Sequence, residues 1–198
     1  MQNSKEKIIE AAIEVFFEKG FDAASMRVIA ERAGLTKPMI YYHFKNKEAL
    51  YLELLEEHLE VFCNQLEAIV GSEDEYKKIF YAVIDLYDAT FSKGAKIYHI
   101  IQREISGNGR LVGFLTEKYF SRIFIHLASF LRKGIQKGFI CATLDSSLAG
   151  LSLSSILLFY FSQGNVLEQL SQYVDPEVFS GSSFRTHILD LFIEKENA

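Results

Sequence analysis

Apolar residues recur at helical spacing through most of the chain. Ile9, Ala12, Ile13, Phe16 and Phe17 mark one face of a first helix, for which Asn3 and Glu6 form a candidate capping box. Gly20 ends this helix, with Phe21 folding back. Ser25 is placed to cap a second, short helix whose inner face is Met26, Ile29, Ala30 and Ala33, and Gly34 stops it by supplying a left-handed residue. Thr36 and Pro38 open a third helix, and Asn46 caps a fourth that runs to about Val70.

Beyond Gly71 the pattern coarsens into longer helices. Ser72 and Glu75 form a second candidate capping box, opening a helix to about Phe91, and residues 95–105 read as a shorter one. The Gly-Asn-Gly stretch at 107–109 predicts a turn, followed by a long amphipathic helix over residues 111–137 that Gly138 interrupts. Asp145 caps an uncharged helix, residues 169–174 form a polar link, and Asp175-Pro176-Glu177 starts a last helical region. That region is expected to break near Gly181 and resume to Glu196.

Composition agrees with this reading. Hydrophobic residues make up 49% and charged residues 24% of the chain, which excludes a disordered polymer. Two prolines and 12 glycines in 198 residues favour long helices over many short strands. The expected fold is all-α. An N-terminal helix-turn-helix domain occupies residues 1–50, with the connecting fourth helix from about 46, and a larger helical domain occupies 51–198.

Cys63 and Cys141 are too far apart for a CxxC motif and make no disulfide framework, so a reduced, cytoplasmic setting is expected. No charged segment followed by an apolar one opens the chain, and no secretion signal is expected. Residues 146–167 carry no formal charge, but five serines fall within their first ten positions and no lysines flank them. They read as a helix buried between helices, not as a membrane span.

The net charge of −5 argues against nucleic acid until its distribution is considered. Residues 1–50 hold eight Lys/Arg against seven Asp/Glu, so all the excess acid lies further on. Glu6, Glu10, Glu14 and Glu18 occupy one strip of the first helix, leaving Arg27, Lys37, Lys45 and Lys47 for another face. Two helices joined by a glycine turn, the second very short, have the proportions of a helix-turn-helix.

On the short third helix, Ile40 and Phe44 share one face, while Pro38, Met39, Tyr41 and Tyr42 point the other way. The first pair anchors a helix too short to be stable alone. The outward rings present apolar faces to thymine methyl groups and sugars, with hydroxyl and imidazole donors for phosphates. Ala30 and Gly34 are small where two helices are expected to approach closely. Lys47 stands at the start of the fourth helix, whose free N–H groups and positive dipole end favour a phosphate.

The stretch "FFEKGFDAASMRVIAERAGLTKPMIYYHFKNKEAL" closely resembles the DNA-binding domain of TetR-family transcriptional regulators, over residues 8–50. The resemblance implies that Thr36, Lys37, Pro38, Met39, Tyr41, Tyr42 and His43 lie in the recognition region of double-stranded operator DNA. It also implies that Ser25, Arg27 and Lys47 meet the backbone or nearby bases. Ala24 stands where many members have threonine, and Pro38 with Met39 replaces a commoner small pair, so the operator is not transferable from a relative.

The resemblance further implies a homodimer built from the last two long helices. Gly150, Leu151, Ser154, Ser155, Ile156, Leu157 and Phe161 are compatible with close packing in the first of these. Phe184, Ile188, Leu191 and Phe192 give the last helix an apolar stripe, with burial inside one subunit as the alternative. A single short recognition helix offers few base contacts, which independently favours a dimer. Between these ends the resemblance implies a cavity for a hydrophobic or aromatic small-molecule effector. Its expected wall includes Tyr87, Phe91, Phe120 and Phe124, with Tyr98, His99, Gln102 and Arg103 as polar groups.

An enzyme is the rival class, and its signals are missing. "GNGRLVG" misses the dinucleotide spacing by one residue, "GLSLS" lacks the second glycine of a nucleophile elbow, and no HExxH occurs. His58, His99, His126 and His187 are isolated, so neither a metal nor another cofactor is expected. The remaining alternative is a DNA-binding regulator without a small-molecule effector, constitutive or controlled by a protein partner.

Overall fold

Helix α1 (Ser4–Ala23) buries Ile8, Ala11, Ala12, Val15 and Phe16 and breaks its helical geometry at Gly20, whose φ is 74°. The computed structural model describes residues 4–92, 96–107, 109 and 111–193. The capping box expected at Asn3 therefore falls outside the described residues. Helix α2 (Met26–Ala33) is capped by Ser25, whose hydroxyl accepts from the Val28 amide at 3.3 Å. It closes at Gly34 (φ 66°), with the Leu35 amide donating back to the Ala30 carbonyl at 3.0 Å. A side chain at Gly34 would meet nothing within 4 Å, so glycine serves the left-handed backbone there and not the close helix approach expected from sequence.

Helix α3 (Lys37–His43) follows Thr36, and helix α4 (Lys47–Val70) follows Asn46, whose side chain accepts from the Ala49 amide at 2.8 Å. Helix α5 (Tyr76–Phe91) begins later than expected. Gly71 and Ser72 donate back to carbonyls of Glu67 and Ile69, closing α4, and Glu75 makes no capping bond, so the Ser72–Glu75 capping box does not form. Helix α6 (Lys96–Ser106) follows.

The single helix expected over 111–137 is interrupted. Helix α7 (Val112–Leu115) passes into a π-helical turn, Thr116–Phe120, and then into α8 (Ser121–Gln136). The Ser121 amide bonds the Thr116 carbonyl across five residues, and the carbonyl of Tyr119 faces the Cys63 thiol at 3.8 Å. Gly138 (φ 73°) ends this run as expected.

Asp145 caps α9 (Ser146–Ser162), accepting from the amides of Ser147 and Leu148. The uncharged helix expected over 146–167 thus breaks at Gln163, and a short helix, α10 (Gly164–Leu170), carries the chain into the link expected at 169–174. A 3-10 turn at Pro176–Phe179 leads to α11 (Gly181–Phe192), which ends short of the expected Glu196. Ile193 is instead extended and bridges Ile140, and residues 194–198 lie outside the described residues. No helix among the described residues is long and apolar enough to cross a membrane.

The chain divides into two compact units. The first comprises Met1–Val61 with Ala95–Phe114 and is larger than the 1–50 segment expected. In it α1 packs on α2, α3 and α6. Glu14 pairs with Lys96, the Arg103 guanidinium donates to the Phe17 carbonyl at 2.6 Å, and Ile100 and Ile101 are buried.

The second unit comprises Phe62–Gly94 with Leu115–Ala198. Its core draws Leu66 from α4, Phe80 and Val83 from α5, Leu127 and Leu131 from α8, Leu153 and Leu157 from α9, and Ile188 from α11. Gly150 lies where an added Cβ would stand 3.2 Å from the Ala128 amide nitrogen, so α8 and α9 meet within the subunit through a small-residue contact. Arg185 of α11 clamps Asp85 and Asp88 of α5.

Candidate DNA interface

Ile40 is fully buried and Phe44 nearly so, which fixes the roll of α3 about its axis. The opposite face is open. Thr36, Lys37, Pro38, Met39, Tyr41 and Tyr42 are all exposed, and Tyr42 reaches 85%. The Lys37 ammonium lies 5.7 Å from the Tyr41 ring centre, beside the same face. A seven-residue helix thus displays two phenols, a thioether and a cation on one side.

His43 differs from its neighbours. It is half-buried, its Nε2 lies 2.8 Å from the Ser4 hydroxyl, and its ring meets Tyr42 edge-on at 5.1 Å. One ring nitrogen is thereby tied to the start of α1, and the ring supports Tyr42 from behind. Sequence reasoning missed this role because 39 residues separate the partners.

Ser25 and Arg27 stand at the first turn of α2, both exposed. Arg27 pairs with Glu31 at 3.0 Å, an exposed i,i+4 pair of small energetic value that leaves the guanidinium available to a phosphate. Lys47 is half-buried and its ammonium is engaged by backbone carbonyls.

A family model described as bacterial regulatory proteins, tetR family, matches residues 8–54. The uncharacterized HTH-type transcriptional regulator YdeS of Bacillus subtilis (strain 168) is 30% identical over 148 residues, covering 73% of this chain and 71% of that protein. The chain belongs to the TetR family. The HTH-type transcriptional activator FasR of Mycolicibacterium smegmatis is 36% identical over 83 residues, but the match spans only 38% of FasR and 41% of this chain. Among solved structures, the SmeT–triclosan complex superposes with a TM-score of 0.76 at 21% identity, covering 100% of this chain and 95% of that one. That likeness shows that the TetR-type fold extends through the helices beyond the matched segment.

The TetR-type second unit revises the expected dimer surface. Leu157, Phe161, Phe184, Ile188 and Phe192 are buried within one subunit, so they support the helices from inside. Ser154 also points inward, to the Tyr87 hydroxyl, and Ile156 is half-buried. Of the expected set the exposed members are Ser155 and the apolar Leu151 and Leu191, the latter two at 54% and 50%, and they are joined by Leu148 and by Phe159 at 54%. The reason lies in α9, where uncharged and apolar residues are spread round the whole helix: its sequence offers no stripe from which the outer face is legible.

The residues expected to line an effector cavity fall in both units. Tyr98, His99, Gln102 and Arg103 belong to the first, where Arg103 is taken up by the Phe17 carbonyl and His99 lies 5.7 Å from the Phe17 ring. Tyr87, Phe91, Phe120 and Phe124 belong to the second. There Tyr87 is buried against Phe62 and Phe91, Phe120 is half-buried and Phe124 exposed. The first unit also holds a cleft of about 210 Å³ lined by Phe21, Glu48, Ala49, Tyr51, Leu52, Glu104 and Leu111, at none of the expected positions.

Proposed function

We propose that this TetR-family chain is a sequence-specific DNA-binding repressor that acts as a homodimer and is released by a hydrophobic or aromatic small molecule. The observation that carries the DNA reading is the α3 face, where Tyr41 and Tyr42 stand exposed on a helix rolled into place by Ile40 and Phe44. An 85%-exposed tyrosine on a seven-residue helix contributes nothing to the core, and base edges and sugars are the surface that suits it.

Dimerisation is supported by the exposed Leu148, Leu151, Phe159 and Leu191 on the two helices that would meet across a two-fold axis. The effector reading is supported by the aromatic richness of the second unit and by SmeT, a chain of the same fold whose structure is that of a triclosan complex. An effector releases DNA only to the extent that it binds the DNA-incompetent conformation better, and a coupling of about 1 to 3 kcal/mol gives roughly a 5- to 150-fold effect.

The test begins with selection of duplexes from a random library by the full-length protein, expected to return a near-palindromic site with half-sites about one helical turn apart. Recovery of no sequence preference would refute the reading. A thermal-shift screen of apolar and aromatic compounds then looks for ligands that also dissociate the selected duplex. A complete screen without a hit favours control by a protein partner or none. FasR is named an activator, so the direction of control is read from a promoter fusion carrying the selected site, where repression is expected.

A further inference from the structure

We infer that Lys47 is a positioning residue for DNA readout, an ammonium brace that holds the turn between α1 and α2, and not a contact to phosphate. The inference rests on reading the first unit as the DNA-binding unit. Lys47 Nζ donates to the carbonyl oxygens of Phe21 at 2.7 Å, Asp22 at 3.2 Å and Ala24 at 3.0 Å. An ammonium has three N–H donors, and three carbonyls use all of them. A phosphate can reach Nζ only by displacing one.

The local electrostatics favour this arrangement. Lys47 is the first residue of α4, where the positive end of the helix dipole repels a cation. The side chain turns from that end to the carbonyl-rich end of α1, where carbonyls lack partners within their own helix. Gly20, at φ 74° and ψ 172°, bends the chain just before these carbonyls. The Phe21 ring lies 4.3 Å from Nζ and adds a cation–π contact to the partly buried charge.

The brace bears on DNA through Ser25. Ala24 contributes one of the three carbonyls, and the next residue caps α2 through the Val28 amide. Holding Ala24 fixes where α2 begins, and with it the exposed Ser25 and Arg27. Lys47 thus acts through a turn whose nearest carbonyl in sequence, that of Ala24, is 23 residues away.

Two readouts on Lys47→Met, which keeps the apolar stem, test this, with Lys47→Gln as a second variant; both are made at a temperature where circular dichroism shows the fold intact. The first is amide hydrogen exchange over residues 22–28 in DNA-free protein, expected to quicken about tenfold on loss of the charge-assisted bonds. Unchanged exchange would overturn the brace.

The second readout is the salt dependence of binding to the selected duplex. Affinity is expected to fall about tenfold with the slope of log Kobs against log salt unchanged, whereas a lost phosphate contact lowers that slope by about 0.9 and would overturn the inference. A change in stability alone would leave the affinity of the folded protein where it was, which also counts against positioning. If wild-type protein prefers no duplex, the proposed function fails, while the exchange measurement still judges the brace.

Discussion

The hydroxyls of Tyr87 and Ser154 lie 2.9 Å apart, joining α5 to α9 inside the second unit. Tyr87 is only 1% exposed and its ring packs edge-on against Phe62, so Ser154 is the partner that satisfies a buried phenol. Ser154→Ala is expected to cost about 1–3 kcal/mol in urea denaturation, because it strands that hydroxyl. Tyr87→Phe should cost less, since the half-buried Ser154 hydroxyl keeps access to water, and the double substitution should cost less than the sum. A neutral Ser154→Ala that weakened subunit association would instead return Ser154 to the interface.

Burial also makes this core sensitive to alkali. Desolvation pushes the phenols of Tyr87 and Tyr76 well above their ordinary range, with the Ser154 bond pulling Tyr87 partly back. A raised folded-state pKa means that the stability is fully present below the unfolded value of about 10 and is lost as pH rises beyond it, because the unfolded chain ionises first. Ultraviolet titration of the ten tyrosines should therefore show Tyr76 and Tyr87 among the groups that ionise late, together with unfolding. Normal titration of both phenols in folded protein would contradict the packing around them.

What was legible in the sequence follows from how local each signal is. The caps at Ser25, Asn46 and Asp145, the left-handed Gly34 and the anchors Ile40 and Phe44 act over a few residues, and the structure places each as expected. The Ser72–Glu75 box failed because Gly71 and Ser72 were already used in closing α4. The π-helical turn at Thr116–Phe120 has no local signature; its observed counterpart is the buried Cys63 thiol, more than fifty residues away. At the candidate site the outward face of α3 was readable from 100° steps along the helix. The partners of His43 and Lys47 were not, because they come from α1 through tertiary packing.

The exposed and buried apolar residues of α9 predict opposite phenotypes. Leu151→Glu or Phe159→Glu should leave the fold intact and shift sedimentation from dimer toward monomer, since a charge there is buried only on association. Leu157→Ala, at a fully buried position, should cost about 2–5 kcal/mol of stability and leave association of the folded protein unchanged. A dimer indifferent to charges at both Leu151 and Phe159 would place the interface elsewhere.

On α3 and α2, base-edge and backbone contacts separate by their response to salt. Tyr42 projects its ring from the helix against the edge of His43, which Ser4 ties to α1. Tyr42→Ala is expected to weaken binding to the selected duplex by about 1–3 kcal/mol and to random duplex much less, with the salt slope unchanged. Arg27→Ala should weaken both and lower the slope by about 0.9, because its exposed pairing with Glu31 yields to a phosphate. Ser4→Ala should act in the direction of Tyr42→Ala but more weakly, by freeing the imidazole that backs the tyrosine. Anisotropy titrations at several salt concentrations measure all three. An equal loss on selected and random DNA for Tyr42→Ala would mean that the phenol meets the backbone, and the reading of sequence would then have to come from Lys37, Met39 and Tyr41 on the rest of the exposed face.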